Sequence, residues 1–446
     1  MSSILSCISV IVNILVLWLT ITLVFQIIIS IFGFKRKTND YKPHDPKMRF
    51  LVLIPAHNEA KVISGIIQNM HKMQYPKELF DFYVLADNCT DDTAKISRSA
   101  GAKVLEFEKK TPDEVSGKSV VLKKALEALT GYEKNYDAVF FFDADNWVDY
   151  HMFSEVNSQF LDSDDRTEII QCYLGSKNKK GIVAFFYYMT YTISNRFLQY
   201  SRQRLGINCG IGGTGFAVKT QYLYKRGGWT AHSLTEDTEL QIAATLDGKR
   251  ILWNNNARVY DEKPTTIKAS MRQRIRWAQG HWFVAFKNTV PVIRSLFQRK
   301  ISLWEFISMI IQLYFPATYI FATLNVIVVT IYNIMLSNHS TINPSVDAMV
   351  ISLDPNTFAY LLFFYTLIIQ FAYGDWVDNK QYRNILNLPL VLVSFAINTA
   401  IAGLAQIIGL FKYRQQGVWD KTEHSLRKPE KTLSNTTSNK IDSKEP

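Results

Sequence analysis

The sequence predicts an α/β domain held between apolar helices that cross a membrane, and three observations predict it. Hydrophobic residues make up 48% of the 446-residue chain, but they gather near residues 4–32 and again between 301 and 411. Between residues 48 and 259, short apolar runs ended by proline or aspartate alternate with stretches of helical spacing, the pattern of a parallel sheet. Lys and Arg cluster beside the apolar segments, where anionic lipid and the positive-inside rule favour them. That placement accounts for the formal net charge of +11 without nucleic acid, since no basic–aromatic module appears. Cys7, Cys89, Cys172 and Cys209 form no CxxC pair, so neither a zinc site nor a disulfide framework is indicated.

Ile4 to Phe32 is nearly uncharged and, at ~1.5 Å per residue, long enough to cross a ~30 Å hydrocarbon core. A signal peptide would need basic residues ahead of a shorter apolar core, and no charge precedes Lys35, so a permanent anchor is expected. Lys35, Arg36, Lys37, Lys42, Lys47 and Arg49 then place the N-terminus outside and the following chain in the cytosol. Arg49–Pro55, Phe82–Ala86, Ala102–Phe107 and Ala138–Phe142 read as strands, with helices over Glu59–Met73 and Lys118–Leu129. Pro55, Asp87 and Asp143 close three of these strands, at the carboxyl ends where such sheets bind ligands. Gly181–Tyr200 is aromatic-rich but short, and Asn195, Arg196, Arg202 and Arg204 adjoin it as markers of a surface. It is expected to lie on the domain or at the membrane surface.

Phe315–Leu336, Phe358–Gly374 and Ile385–Phe411 are each long enough to span. Loop 337–357 has no Lys or Arg and should face outside, with a glycosylation sequon at Asn338; loop 375–384 carries Lys380 and Arg383 and should face inside. Three spans after a cytosolic domain would leave the tail outside, yet the polar tail from Lys412 is basic. Either Ile301–Leu336 holds an extra crossing or a later segment is re-entrant or interfacial; a cytosolic tail, disordered beyond about residue 430, is the expectation.

Three acidic or basic motifs carry chemistry. Asp143-Ala-Asp145 follows a buried strand. Two carboxylates at that edge suit Mg²⁺ or Mn²⁺ against a diphosphate, whereas an acidic pair elsewhere often only caps a helix. Leu234-Thr235-Glu236-Asp237 opens a helical stretch that ends near Asp247-Gly248, with Thr235 as N-cap and acids in the first turn. A carboxylate there is placed to act as a base, with a pKa expected to stay low. Gln273-Arg274-Ile275-Arg276-Trp277 reads either as an interfacial helix or as a ligand motif, with Arg276 gripping a diphosphate and Trp277 offering a flat face to a sugar.

Taken in order, Ile54-Pro55-Ala56-His57-Asn58-Glu59, Asp87-Asn88-Cys89-Thr90-Asp91, Gly117-Lys118, Asp143-Ala-Asp145, Thr235-Glu236-Asp237 and Gln273-x-x-Arg276-Trp277 resemble family 2 inverting glycosyltransferases of the GT-A fold. This is the group of cellulose, chitin, hyaluronan and poly-N-acetylglucosamine synthases. The resemblance covers about residues 48–285. It implies an α/β GT-A (Rossmann-like) cytosolic domain plus an α-helical transmembrane region. It further implies donor contacts from Pro55, Asn58, Glu59, Asp87, Lys118, Asp143, Asp145, Gly213, Thr214, Gln273 and Arg276. Asp143 and Asp145 would hold Mg²⁺ or Mn²⁺, Asp237 would be the base beside Glu236, and Trp277 would stack on the acceptor. Gly210–Gly215 is similar to the glycine-rich loop beside the donor sugar but differs from the cellulose and chitin synthase versions, and Trp419–His424 is only loosely similar to their gating loops.

The expected activity is transfer of a hexose from a UDP-sugar, glucose or N-acetylglucosamine, to a growing β-linked polysaccharide, processive and coupled to export. The alternative is single transfer to a membrane lipid such as diacylglycerol or ceramide. The implied partners are the donor, a polysaccharide or lipid acceptor, the bilayer and accessory export subunits, with no nucleic acid. The location is the plasma membrane, multi-pass. The segments expected are an anchor (1–34), the catalytic domain (48–285), interfacial helices (286–314), membrane helices (315–411) and a basic tail (412–446).

Overall fold

The computed structural model describes residues 2–35, 41–109, 111, 114–337, 355–381 and 384–416. Most of loop 337–357, with its Asn338 sequon, and the tail from 417, with Trp419–His424, lie outside the described residues.

An eight-stranded sheet forms the middle of the chain. Its strands are β1 (Phe50–Ala56), β2 (Phe80–Asp87), β3 (Lys103–Phe107), β4 (Ala138–Phe141), β5 (Trp147–Val148), β6 (Thr167–Ser176), β7 (Phe216–Lys219) and β8 (Arg250–Asp261). Their spatial order is β3-β2-β1-β4-β7-β6-β8-β5. The first four strands pair in parallel, as the sequence predicts. The rest corrects that expectation, because β7 runs antiparallel to both β4 and β6 and β5 antiparallel to β8, making the sheet mixed. The reason is local. The glycine-rich loop lies across the carboxyl end of β4, where Gly215 N donates to Phe141 O at 2.9 Å, so the chain enters β7 from that end and runs back along β4.

The chain begins with α1 (Ser2–Ile31). One face of the sheet carries α2 (Ile63–Lys72) and α3 (Thr93–Ser99); the other carries α4 (Lys118–Ala128) and the short α5 (Tyr132–Asn135); α6 (Met152–Asp162) returns to the first. All of β1 is buried, and its alternate residues feed two cores. Phe50, Val52 and Ile54 pack with Ile63, Ile66 and Phe153, while Leu51 and Leu53 pack with Val121, Leu122 and Phe216. The helix expected from Glu59 starts at Ile63, because Glu59 O first closes a turn onto Val62 N and Ile63 N at 3.0 Å.

Gly181–Tyr200 does not lie on a surface. It forms α7 (Ile182–Ile193) and a π-helical continuation over Ser194–Tyr200, followed by α8 (Ser201–Arg204). Its polar residues misled the reading because each has a buried partner. Arg196 ion-pairs with Asp378 at 2.7 Å, and Asn195 Nδ2 donates to Leu174 O at 2.7 Å. After α9 (Thr220–Lys225) and α10 (Glu236–Leu246) come four long helices: α11 (Ile267–Phe297), α12 (Leu303–Ser337), α13 (Pro355–Asn379) and α14 (Leu388–Phe411). Phe185, Phe186 and Met189 of α7 pack on Phe371, Val391 and Phe395 of α13 and α14. Phe25 and Ile29 of α1 pack on Ile311 of α12. Among the described residues two helical segments, Leu17–Phe34 and Leu388–Phe411, are long and apolar enough to cross a membrane, with mean hydropathy 2.2 and 2.0.

Candidate active site

The switch from β1 to β4 opens a crevice at the carboxyl ends of the parallel strands. A cavity of about 590 Å³ occupies it, lined by Pro55, Glu59, Lys118, Asp143, Asp145, Gly213, Thr214, Glu236, Asp237, Gln273, Arg276 and Trp277. Twelve positions singled out in the sequence therefore meet in one space. Asn58 and Asp87 do not line it. Asn58 has a left-handed backbone (φ 58°) and its Oδ1 accepts from Thr90 N at 2.7 Å. Asp87 is buried at the end of β2, accepts from Asn88 Nδ2 at 2.7 Å, and burial pushes its carboxyl pKa up.

Asp143 and Asp145 leave the end of β4 on a braced turn. Asp143 N donates to Thr214 Oγ1 at 3.0 Å and to Asn146 Oδ1 at 3.1 Å. Asp145 Oδ2 accepts from Glu262 N at 3.2 Å. The pair offers only hard oxygen donors. Among the described residues no three acidic, His or Cys side chains gather as a metal cluster, so an ion here would need further oxygens from a diphosphate or water.

Lys118 links the acid pair to the start of α10. Its Nζ donates to Asp143 Oδ1 and to Gly213 O, both at 2.6 Å, and lies 3.5 Å from Glu236 Oε1. Burial would lower its pKa, but Asp143, Glu236 and Asp237 override burial and raise it. Gly213 has φ 79°, and a Cβ there would stand 3.3 Å from Asp237 Oδ2, so glycine lets the loop lie against the carboxylate.

Asp237 departs from the sequence expectation of a low pKa. Burial first, then the Glu236 charge, raise it to about 7, outweighing the Thr238 N–H and Lys118 that lower it. Thr235 departs too. It holds the N-cap position with φ −125° and ψ 62°, outside usual cap geometry, and its hydroxyl makes no cap bond. Glu239 braces this loop instead, accepting from His232 N at 3.0 Å, Ser233 N at 2.9 Å and Lys287 Nζ at 2.8 Å. The expected end at Asp247-Gly248 is found, with Gly248 at φ 72°.

The Gln273–Trp277 motif lies on α11 and faces the cavity. Gln273 Oε1 accepts from Tyr187 OH at 3.2 Å, and Trp277 meets the Tyr187 ring edge-on at 6.2 Å. One turn on, Gly280 abuts the loop that leads into α10: a Cβ there would come within 2.6 Å of Thr235 N. Trp229 and Trp282 are buried and do not line the cavity.

A model described as "Glycosyltransferase like family 2" matches residues 46–280, more than half of the chain. The chain belongs to that family. This glycosyltransferase is 27% identical over 380 residues to the probable glycosyltransferase YdaM of Bacillus subtilis (strain 168), covering 83% of this chain and 86% of that one. It is 23% identical over 366 residues to the poly-beta-1,6-N-acetyl-D-glucosamine synthase of Staphylococcus epidermidis, covering 79% and 82%. A beta-monoglucosyldiacylglycerol synthase of Nostoc is 26% identical over 279 residues, which is 60% of this chain and 56% of that one. In fold the chain resembles the mannosyltransferase PcManGT of Pyrobaculum calidifontis, solved with GDP-Man and Mn2+, at TM-score 0.54 and 16% identity, over 88% of this chain and 99% of that one. The domain is of the GT-A type.

The glycosyltransferase cavity also holds residues that sequence reasoning missed. Asp261 ends β8 beside the acid pair. Burial first, then Asp145 and Asp143 raise its pKa to about 6 against the opposing pull of Lys263. A strand-terminal acid was a readable signal for it. Gln199 has none, because its place depends on the π-helical turn; it donates to Gly210 O at 2.9 Å and accepts from Gly210 N at 2.8 Å. Gln241 does not line the cavity itself; one turn after Asp237 on the same face of α10, it accepts from Ile211 N at 3.2 Å. Gln26, Gln312 and Gln406, from α1, α12 and α14, complete the far wall.

Proposed function

We propose that this family 2 glycosyltransferase transfers a hexose from a UDP-sugar to the end of a growing β-linked polysaccharide at a cell membrane. The observation that carries the reading is the continuity of the cavity. It runs from Asp143 and Asp145 past Asp237 and Trp277 to α1, α12 and α14. The match to the poly-beta-1,6-N-acetyl-D-glucosamine synthase supports it, since 366 aligned residues extend beyond the catalytic domain.

Asp237 takes the proton of an acceptor hydroxyl. The freed oxygen bonds to the anomeric carbon as the bond from that carbon to the diphosphate breaks, with inversion from an α-linked donor to a β-glycoside. Burial, and then the Glu236 charge, keep the Asp237 pKa high enough for it to accept a proton near neutral pH. Lys118 and Arg276 neutralise the diphosphate and Gln273 helps to hold it, all three lining the cavity. Pro55 and Glu59 line the nucleoside side, next to Asn58 and to Asp87 at the end of β2, with Gly213 and Thr214 beside the sugar. Asp143 and Asp145 would hold Mg²⁺ or Mn²⁺, which supplies charge stabilisation for the leaving diphosphate when bound. Trp277 stacks on the acceptor sugar without fixing one register, which suits a chain that slides by one unit. The segments 1–34 and 315–411 anchor the enzyme as a multi-pass protein, with interfacial helices at 286–314 and the catalytic domain (48–285) and basic tail (412–446) in the cytosol. Accessory subunits would serve export.

The test is incubation of purified protein with radiolabelled UDP-sugars followed by product sizing. Polymer that shortens or vanishes in Trp277→Ala, and partly returns in Trp277→Phe, supports the reading. A single sugar on an extractable lipid from the wild type replaces polymer synthesis with lipid glycosylation, the activity named for the Nostoc relative.

A further inference from the structure

At its inner end, away from the acid pair, the cavity is walled by Gln26 of α1, Gln199 and Arg202 of the π-helical segment and α8, and Ile311, Gln312 and Phe315 of α12. Arg202 is anomalous there. Only 6% of it is exposed, at the cavity wall. Its Nη1 donates to the neutral Gln312 Oε1 at 3.1 Å, and its Nε is buried without a hydrogen-bond partner. No carboxylate ion-pairs with it among the described residues. The charge of half-buried Glu305 reaches it without an ion pair, and that carboxylate accepts from Asn208 N at 3.0 Å and also feels Arg250. The other buried arginine of this region, Arg196, has its own counter-charge in Asp378 at 2.7 Å. Burying a cation without such a partner costs several kcal/mol, which a protein sustains where a ligand supplies the charge.

We propose that the inner end of the cavity is an oxyanion subsite in which the Arg202 guanidinium, bonded only to the neutral Gln312 oxygen, receives a phosphate ester group of a membrane lipid. The amide pairing of Gln312 with Gln241, at 2.8 Å in each direction, keeps the Gln312 oxygen fixed beside the guanidinium. Gln241 in turn belongs to the helix that opens with Glu236-Asp237, so a phosphate seated at Arg202 lies one hydrogen-bond relay from the catalytic helix. The walls from α1 and α12 give the site its lipid side. That part rests on the membrane placement proposed above; the charge argument does not.

The full chain in maltoside detergent is titrated with phosphatidylglycerol, with diacylglycerol of the same acyl chains, and with glycerol 3-phosphate, following binding by calorimetry and melting temperature. Phosphatidylglycerol should bind saturably and at least about 10-fold tighter than diacylglycerol, the scale of a charge-assisted hydrogen-bond pair. Arg202→Gln should remove that preference. Gln312→Glu supplies an internal counter-charge: it keeps the oxygen facing Arg202, gives up one amide bond to Gln241, and should abolish phosphatidylglycerol binding in a protein that still melts cooperatively. Glycerol 3-phosphate binding as tightly as the lipid would keep the oxyanion subsite and remove the bilayer as its source. Equal affinity for phosphatidylglycerol and diacylglycerol, or unchanged phosphatidylglycerol affinity in both variants, overturns the proposal. UDP release from the donor, measured in parallel, reports on the glycosyltransferase reading separately.

Discussion

Pro55, Lys118, Asp143 and Asp145 stand on β1, α4 and the end of β4, elements that build their own core from Phe50, Leu51, Phe140 and Phe141. Glu236 and Asp237 open α10, which packs Leu240 and Ala244 on the sheet but Ile242 on α11, and Gln273, Arg276 and Trp277 stand on α11 itself. Gly280 presses α11 onto the loop that leads into α10, Gly409 lets α14 close onto Ala278 of α11, and Gln416 after α14 accepts from Leu234 N at 2.8 Å and donates to Gln279 O at 3.2 Å. The proposed donor residues thus stand in the core of the sheet, and the proposed catalytic residues depend in addition on the helices beside it. Donor affinity and turnover should therefore respond to different perturbations.

The largest separation is expected at Asp237. Asp237→Asn keeps size and removes basicity, so kcat should fall by at least about 10²-fold, with UDP-sugar affinity by calorimetry little changed. Near-normal turnover would move the base elsewhere. Next comes Gly280→Ala, whose Cβ meets backbone 2.6 Å away in the loop that leads into α10. Overpacking of about 1–3 kcal/mol should appear as roughly a 10-fold loss of kcat with donor binding retained. Gly65→Ala, on α2 beside the sheet with nothing within 4 Å of the new Cβ, should leave kcat alone and raise stability by about 0.5–1 kcal/mol. If both variants behave alike in kinetics, the two sets of residues are not separately supported.

The pH profile sharpens the same contrast. A base whose pKa is raised to about 7 is mostly protonated below that pH, so kcat/KM should rise with pH through about 7 and level off above it. Glu236→Gln removes the neighbouring negative charge that holds the pKa up, so the limb should move to lower pH. A limb that stays in place would show that burial alone sets it. The smallest effect is expected at Gln416. Gln416→Ala removes one hydrogen bond to the loop that leads into α10, about 1 kcal/mol, and should lower kcat a few-fold without changing donor affinity.

Local pattern was enough to read the parallel start of the sheet, the acids at strand ends, the helix from Glu236 to Leu246 and the long apolar segments, because each is written in contiguous residues. Residues whose meaning depends on their neighbours were misread. Arg196 and Asn195 looked like surface markers until Asp378 and Leu174 were found beside them, and Asp237 looked acidic until its burial and Glu236 were weighed. The antiparallel return of β7, the π-helical turn that brings Gln199 to the glycine-rich loop, and the unpaired charge of Arg202 have no signature in the sequence. Hydrophobic period and turn chemistry act between residues a few positions apart, so the sequence determined the elements and the chemical groups at their ends. Burial, counter-charge and close backbone approach arise between residues distant along the chain, and only the tertiary structure could decide them.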